Sequence, residues 1–286
     1  MTGAGSLSGS VRHHVDSQAS AENFPVALRI LPRAIRSDLA ALYRYARFVD
    51  DVGDQGEGTV AQRLAVLDGV EREIRSLVAS GQTGSIPLQP LAGLLGRHPL
   101  TLEPFVALIE ANRQDQQVRR YATWDALQHY CDLSAAPIGH LVLGVFDAVT
   151  PERLADSGAV CTALQLLEHL QDLGEDLRDR DRIYLPATTM ATHGVTESDL
   201  RAPVADGALR AAVAAECERA RALLERGRPL VASLHGWARV AVAGYVAGGW
   251  ATLAAIEAAD HEVLSALRKA PKRAMLGTAL RIWWRS

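Results

Sequence analysis

The chain has 286 residues, of which 48% are hydrophobic, and it carries a formal charge of −3 at pH 7. This length and composition allow one large buried core, and the near-neutral charge excludes the basic surface that nucleic-acid binding needs. Three widely spaced cysteines argue against a disulfide framework and fit a reducing cytoplasm. The N-terminus does not resemble a signal peptide, and no apolar run reaches membrane-spanning length. We therefore expect a cytoplasmic protein that is soluble or at most peripheral to the inner face of the membrane.

In chain order, residues 1–20 are rich in Ser, Gly and His and are predicted to form a flexible leader. Residues 21–286 are predicted to form a single all-α domain, because apolar residues recur at helical spacing and strand-like alternation is nearly absent. A first acidic helix begins at Ser37 and ends at Asp54. Further helices are expected at about 60–79, 102–112, 124–148, 151–185, 208–227, 229–258 and 260–285. Residues 135–139 interrupt one of them with a proline, which indicates a kink that serves packing or borders a cavity.

The first acidic helix carries a polar stripe on one face, which ends in two carboxylates at positions i and i+4. The members of this stripe are Tyr43, Arg47, Asp50 and Asp54. Asp51 lies off the stripe. Taken alone, Arg47 is most simply explained as one partner of an intrahelical Arg–Asp ion pair.

A second stripe of the same kind lies within residues 160–186, opposite an arc of leucines. Its members are Gln165, Glu168, Asp172 and Asp176. A solvated acidic face would explain either DxxxD pair alone, but two such faces that met would form a cage of carboxylates. The carboxylates of such a cage would repel one another, and divalent cations that bridge them to an anionic ligand would offset this repulsion. Hard oxygen ligands favour Mg²⁺ over zinc or copper.

The segments FVDDVGD and DLGEDLRDRDRIYLP, which contain the two acidic pairs, resemble the aspartate-rich motifs of the squalene/phytoene synthase family. Residues 22–51, 112–146 and 244–249 resemble the hopanoid-pathway branch of that family, whose members are understood as hydroxysqualene synthases. The resemblance implies an all-α isoprenoid synthase fold with a central cavity flanked by two aspartate-rich helices. It also implies a prenyl diphosphate substrate, with other squalene-pathway enzymes as candidate partners. The Mg²⁺ ligands that it implies are Asp50, Asp54, Asp172 and Asp176.

The resemblance assigns roles to further residues. The diphosphate-binding residues that it implies are Arg47, Tyr43 and Arg182. The pocket residues that it implies are Gln165, Glu168, Tyr184 and Tyr245. Tyr130 joins the four aspartates as a catalytic residue that reaches toward the diphosphate or the intermediate. Without the resemblance, Tyr130 and Tyr245 would be explained as core tyrosines.

Two positions depart from the family pattern. Glu168 stands where an asparagine is usual, and a further carboxylate there would bind metal directly or have a raised pKa. Gln171 stands where phytoene-type members carry arginine. A neutral amide at that position resembles the hydroxysqualene branch and argues against phytoene synthesis.

The implied reaction is the ionisation of presqualene diphosphate, with the carbocation held in an apolar tunnel and quenched by one water to hydroxysqualene. One alternative is the condensation of two farnesyl diphosphates to presqualene diphosphate, squalene or dehydrosqualene. Another is a non-catalytic prenyl-binding subunit, which the intact aspartates disfavour. No dinucleotide fingerprint follows a strand, so nothing in the sequence supports the use of NADPH.

The C-terminal tail, residues 270–286, mixes basic and apolar residues and ends in Trp283 and Trp284. Such a segment would dock on an anionic membrane surface or form a final helix packed on the domain. The packed helix is slightly favoured.

Overall fold

The computed structural model describes residues 30–54 and 58–265, and in this part of the chain the regular elements are helices, which confirms the all-α fold. Among the described residues the one strand-like pairing is an isolated parallel bridge between Arg120 and Ile183. The helices of this part, α1 to α12 in chain order, are Arg33–Asp54, Val60–Ser80, Gln89–Leu95, Glu103–Asp115, Trp124–Ser134, Ala136–Val145, Pro151–Gln171, Leu173–Arg180, Ala187–His193, Gly207–Arg226, Arg228–Ser233 and Gly236–Ala258. Two short 3₁₀ turns, Ile86–Leu88 and Asp199–Arg201, lie between them.

Local sequence explains where several helices begin and end. Thr59, Thr123 and Thr150 cap α2, α5 and α7, since each hydroxyl oxygen accepts a hydrogen bond from a backbone N–H in the first turn. At α2 the Gln62 side chain also accepts a hydrogen bond from the Thr59 N–H at 2.7 Å, which completes a capping box. The same helix ends at Gly81, whose φ of 73° is the left-handed conformation that glycine adopts without strain.

The central helix of the core is α7, which packs against α5, α6, α10, α11 and α12. Helix α1 packs against α2, α3, α4 and α6 and contributes Leu39, Leu42 and Val49 to a second apolar cluster. Helix α6 contacts both α1 and α7, the two long helices that carry the acidic stripes. The fold therefore positions both stripes around one interior space.

The helix expected over 151–185 is wrong in its second half. Helix α7 ends at Gln171, Asp172 has φ −98° and ψ 7°, and the shorter helix α8 follows it. Asp181 then takes a left-handed φ of 53° and ends α8. The leucine spacing continues across the break. Helical periodicity therefore could not reveal it.

Three other expectations can be compared with the structure. The break within 135–139 is confirmed, because α5 ends at Ser134 and α6 begins at Ala136. The helix expected over 229–258 is interrupted between α11 and α12. Residues 259–265 are not helical, so the start of the helix expected over 260–285 is wrong. The leader at 1–20 and the tail at 270–286 lie outside the described residues.

Helix α12 corrects one statement made from the sequence. Its 23 residues are long and apolar enough, by length and composition, to cross a membrane, although we recognised no such run in the sequence. In the structure 61% of its apolar window is buried inside the protein, where it packs against α7, α10 and α11. Its place in the core explains its composition.

Candidate active site

A cavity of about 420 Å³ opens between α1, α4, α5, α6, α7 and α12. The N-terminal half of α1 lines it with apolar side chains, among them Leu39 and Leu42, and the middle of α7 does so with Val160 and Leu164. The C-terminal ends of the same helices line it with acidic and other polar side chains. The cavity is therefore apolar at one end and charged at the other.

Helix α1 shows this change in polarity along its length. Between Leu39 and Asp54 the helix advances about 22 Å, at about 1.5 Å per residue. Over that distance its cavity-facing residues change from leucines to Tyr43, Arg47 and Asp50. Helix α7 follows the same order from its apolar middle to its acidic end. A cavity of this length and polarity fits a ligand with a long apolar chain and an anionic head.

The fold brings together every residue that we placed at the site from the sequence. The residues of that set, all of which line the cavity, are Tyr43, Arg47, Asp50, Asp54, Tyr130, Gln165, Glu168, Asp172, Asp176, Arg182, Tyr184 and Tyr245. Their common location is a finding of the structure. Their catalytic, diphosphate-binding and metal-binding roles stay predictions.

Two arginines join the acidic ends of α1 and α8. Arg182 Nη1 lies 2.7 Å from Asp54 Oδ1. Arg180 Nη1 lies 2.8 Å from Asp176 Oδ1, and its Nε lies 3.5 Å from Asp54 Oδ2. These ion pairs draw the two aspartate-rich motifs together at one end of the cavity. We had identified Arg182 from the sequence but missed Arg180, whose importance depends on a contact between distant segments.

Asp50 accepts a hydrogen bond from Asn112 Nδ2 at 3.0 Å, a contact with α4 that the sequence did not indicate. Desolvation by the surrounding protein raises the pKa of Asp50 to about 6; the Asn112 hydrogen bond opposes this rise and the charge of Asp54 adds to it. Arg47 forms the expected intrahelical ion pair, but its partner is Asp51, which lies off the polar stripe. Arg47 Nη2 lies 3.0 Å from Asp51 Oδ1, so Asp51 compensates Arg47 while Asp50 faces the cavity.

Behind the acidic end lies a buried network centred on Asp115, which we had not singled out. Its carboxylate accepts hydrogen bonds from the Tyr130 hydroxyl at 2.8 Å and the Tyr184 hydroxyl at 3.3 Å. Arg182 Nη2 donates to its backbone carbonyl at 3.1 Å. Burial raises the pKa of Asp115 to about 6, against the opposing charge of Arg182. The network fixes three of the predicted site residues relative to one another. The only sequence signal for Asp115 was its place within residues 112–146, where the family resemblance was noted.

His169 extends this network and was also missed. Its ring stacks on that of Tyr184, with centroids 3.7 Å apart and planes at 7°. Its Nε2 lies 3.1 Å from Nε2 of Gln165. Burial lowers the pKa of His169 to about 3, and the nearby charge of Arg182 lowers it further in the same direction. His169 is therefore neutral at physiological pH and holds Gln165 and Tyr184 by hydrogen bonding and stacking.

Glu168 and Tyr245 also line the cavity. Glu168 is half-buried on the cavity face of α7, one turn before Asp172, as its place on the stripe predicts. Tyr245 lines the cavity from α12, and burial raises its pKa well above the usual value. Both side chains therefore face the ligand space rather than the solvent-exposed surface of their helices.

The donor set at the charged end fits a hard divalent cation. Burial raises the pKa of Asp176 to about 7 even though Arg180 partly opposes it, which marks a carboxylate whose negative charge the protein compensates incompletely. Within the described residues no three Asp, Glu, His or Cys side chains are placed to hold one ion by themselves. A cation here would share one or two aspartates with other oxygen ligands. That is the usual coordination of Mg²⁺ in phosphate-binding sites.

Comparison with known proteins agrees with this geometry. The family model described as squalene/phytoene synthase matches residues 17–275. The chain belongs to the squalene/phytoene synthase family. It is therefore an isoprenoid synthase of the squalene and phytoene type. The roles of its cavity residues are inferred from their chemistry and from their places in the cavity.

The chain is also similar to individual members of the squalene/phytoene synthase family. The hydroxysqualene synthase of Zymomonas mobilis is 36% identical over 220 residues, which cover 75% of this chain and 71% of the relative. The presqualene diphosphate synthase of Rhodopseudomonas palustris is 33% identical over 207 residues, with 71% and 72% covered. The crystal structure of squalene synthase HpnC from Alicyclobacillus acidocaldarius has a TM-score of 0.77 and 37% identity, and covers 90% of this chain and 98% of that one.

Proposed function

We propose that this enzyme converts presqualene diphosphate to hydroxysqualene in the presence of Mg²⁺. The observation that carries the proposal is the polarity of the cavity, whose apolar end fits prenyl chains and whose acidic end fits a metal-bound diphosphate. The likeness to hydroxysqualene synthase of Zymomonas mobilis supports the choice of reaction. Gln171, which replaces the arginine of phytoene-type members, points the same way.

The residues that would hold Mg²⁺ are Asp50, Asp54, Asp172 and Asp176, through their carboxylate oxygens. Bound there, the ions supply Lewis-acid stabilisation of the diphosphate as it leaves. Glu168 lies on the same face and is proposed as an additional polar group near the metal-binding end. Its carboxylate would repel a diphosphate that carried no metal, and this repulsion favours binding of the substrate as its Mg²⁺ complex.

Arginines of the chain would bind the departing diphosphate directly. Arg47 and Arg182 both line the cavity at its charged end, and a guanidinium matches phosphate oxygens in a fork geometry. Arg182 is held by Asp54 and by the backbone carbonyl of Asp115, so its position is set before the substrate arrives. Tyr43, on the turn of α1 before Arg47, would add a hydroxyl donor.

The remainder of the site would orient and shield the carbocation that forms when the diphosphate leaves. The apolar part of the wall excludes bulk water, which would otherwise quench a carbocation at random. Tyr130 lines the cavity with a ring that Asp115 fixes through its hydroxyl, and an aromatic ring stabilises positive charge. Tyr184, whose ring is stacked on His169, supports Tyr130 from behind. Gln165 is held by His169 and Tyr245 closes the α12 side. Together these groups would confine the cation until one water reaches it.

A second candidate is the condensation of two farnesyl diphosphates to presqualene diphosphate. The observation that favours it is the likeness to the presqualene diphosphate synthase of Rhodopseudomonas palustris, at 33% identity. The same aspartates and arginines would then serve the earlier ionisation.

A product assay separates the two candidates. Purified protein with Mg²⁺ is given presqualene diphosphate or farnesyl diphosphate, each with and without NADPH, and the lipids are extracted and identified by mass. Hydroxysqualene from presqualene diphosphate, without NADPH, is the expected result. Turnover of farnesyl diphosphate alone would move the enzyme to the earlier step. If neither substrate were consumed, a prenyl-binding subunit would be the better explanation. Omitting Mg²⁺ in the presence of EDTA is the control, and undiminished turnover there would contradict the metal site.

A further inference from the structure

One hydroxyl group in the cavity wall has no partner in the described part of the protein. Ser134 is the last residue of α5 and lines the cavity. Its Oγ is buried and makes no hydrogen bond with any described residue. Buried hydroxyls in proteins are bonded to protein atoms or to an ordered water. In this side-chain conformation Oγ is closed off from the cavity that the residue lines, but rotation about the Cα–Cβ bond to another staggered rotamer can turn it toward a small polar molecule there.

The other cavity hydroxyls whose contacts are resolved are already engaged. Tyr130 and Tyr184 both donate to the carboxylate of Asp115. The Ser157 hydroxyl is hydrogen-bonded with the thiol of Cys161. Among these groups, Ser134 is the one whose hydrogen-bonding capacity the protein leaves unused.

The helix break beside Ser134 supplies a second polar group. Ala135 separates α5 from α6, and the N–H of Ile138 bonds to the Ala135 carbonyl at 3.1 Å. Pro137 has no N–H, so the carbonyl of Leu133 lacks the donor that a continuous helix would place four residues later. A hydroxyl next to a carbonyl released by proline is a pair of groups that can hold one water, which needs two or more polar partners.

The location of Ser134 suits a reaction at the boundary between the two ends of the cavity. It lies one helical turn from Tyr130, and residues at that spacing on a helix are about 5–6 Å apart. Tyr130 belongs to the polar network behind the acidic end, whereas Ile138 and Val142, which follow Ser134 along the wall, are apolar. Ser134 is thus placed just beyond the charged groups, where the carbon released by the diphosphate would lie.

We propose that Ser134 positions the water that captures the carbocation and so determines that the product is an alcohol. The inference rests on the proposed function. In the capture step a lone pair of the water oxygen forms the C–O bond, and one water O–H bond breaks. The proton passes to the diphosphate anion, which the ionisation step itself releases. If no water is held in place, the same anion removes a proton from a carbon next to the cation, and an alkene forms instead.

The test compares the products of Ser134→Ala with those of the wild type. Presqualene diphosphate and Mg²⁺ are supplied, alcohol and alkene products are quantified by mass, and diphosphate release is measured in parallel. We expect the alcohol-to-alkene ratio to fall by roughly three- to tenfold, the factor that one hydrogen bond contributes, while diphosphate release changes less than twofold. Ser134→Thr, which keeps the hydroxyl, should restore the ratio.

Other outcomes have distinct meanings. A Ser134→Ala variant that makes only hydroxysqualene at the wild-type rate would overturn the role of Ser134. Loss of diphosphate release in a folded variant would also overturn it, because the residue would then act before capture. Ser157→Ala removes an engaged hydroxyl from the same wall and should keep the wild-type product ratio; a shift equal to that of Ser134→Ala would mean that general polarity, and not this one hydroxyl, controls the product. Failure of the wild type to consume presqualene diphosphate would refute the proposed function instead, so the two failures are distinguishable.

Discussion

Asp50 and Asp51 are neighbours in sequence but differ in surroundings, and this offers a matched test of the metal-binding proposal. Asp50 faces the cavity and is bonded to Asn112, whereas Asp51 pairs with Arg47. Replacing each by asparagine removes one charge with little change in shape. Asn at position 50 can still accept the Asn112 hydrogen bond through its carbonyl oxygen. We expect Asp50→Asn to lower turnover by at least about 100-fold, because a lost metal ligand removes several kcal/mol of transition-state stabilisation.

The effects on stability should have opposite signs. The pKa of Asp50 is raised to about 6 in the folded protein, so its ionised form costs stability as pH rises from about 4, the unfolded value, through about 6. Two pKa units would amount to about 3 kcal/mol, but Asp50 is open to the cavity and screening reduces this to about 1 kcal/mol. Asp50→Asn should therefore raise the free energy of unfolding by that amount at pH 7.5. Asp51→Asn should lower it by about 0.3–0.5 kcal/mol, the value of an exposed helical ion pair.

The assay is urea denaturation with EDTA at pH 7.5 and pH 4.5, together with turnover in Mg²⁺. The gain in stability of Asp50→Asn should be present in full at the higher pH and fall to about a third of that value at the lower one. Full activity in Asp50→Asn would refute the assignment of Asp50 as a metal ligand. Equal losses of activity in both variants would show that the aspartate pair acts through the helix and not through its cavity-facing member.

Two further predictions concern the packing around the site. His169→Phe removes a base whose pKa is about 3 in the folded protein and about 6.5 in the unfolded chain. As pH falls below about 6.5, protonation of His169 in the unfolded chain lowers the stability of the wild type but not that of the variant. Between pH 7.5 and pH 5 the free energy of unfolding, measured in urea, should therefore fall by about 2 kcal/mol more in the wild type than in the variant. Equal pH dependence of the two proteins would contradict a buried neutral histidine. Gly139→Ala would place a methyl group against Ser157 Oγ and 2.7 Å from Cys161 Sγ, and should destabilise the protein by about 1–3 kcal/mol in thermal unfolding. Gly207→Ala, where the added carbon meets open space, is the control, and a similar loss there would mean that contact between α6 and α7 is not the cause.

Periodicity predicted those parts of the site that lie on long, regular helices. The stripe from Tyr43 to Asp54 could be assigned to one face because α1 runs without interruption over that stretch, and the structure places that face on the cavity. The stripe on α7 was assigned correctly up to Asp172. Asp176 still reaches the cavity, but from a separate helix, and no local signal showed the break between them.

The parts that sequence could not predict depend on contacts between distant segments. Asp115 is significant because Tyr130 and Tyr184, which are 15 and 69 residues away, converge on it. Arg180 lies among several charged residues, and only the approach of α1 distinguishes it from Arg178, which pairs with the adjacent Asp179 at the surface. Helices α3 and α9, with 7 residues each, are too short to establish a periodic pattern.

The direction of α1 and α7 has a consequence for the order in which ligands bind. Both helices end at the acidic side of the cavity, and the C-terminal end of a helix carries a partial negative charge. Neither helix dipole therefore attracts an anion there, and both add to the repulsion from the aspartates. A bare diphosphate entering this field would be opposed, whereas a cation would be drawn in. On the proposed function, the substrate should enter as its Mg²⁺ complex or after the ion, and its apparent affinity should rise steeply with free Mg²⁺.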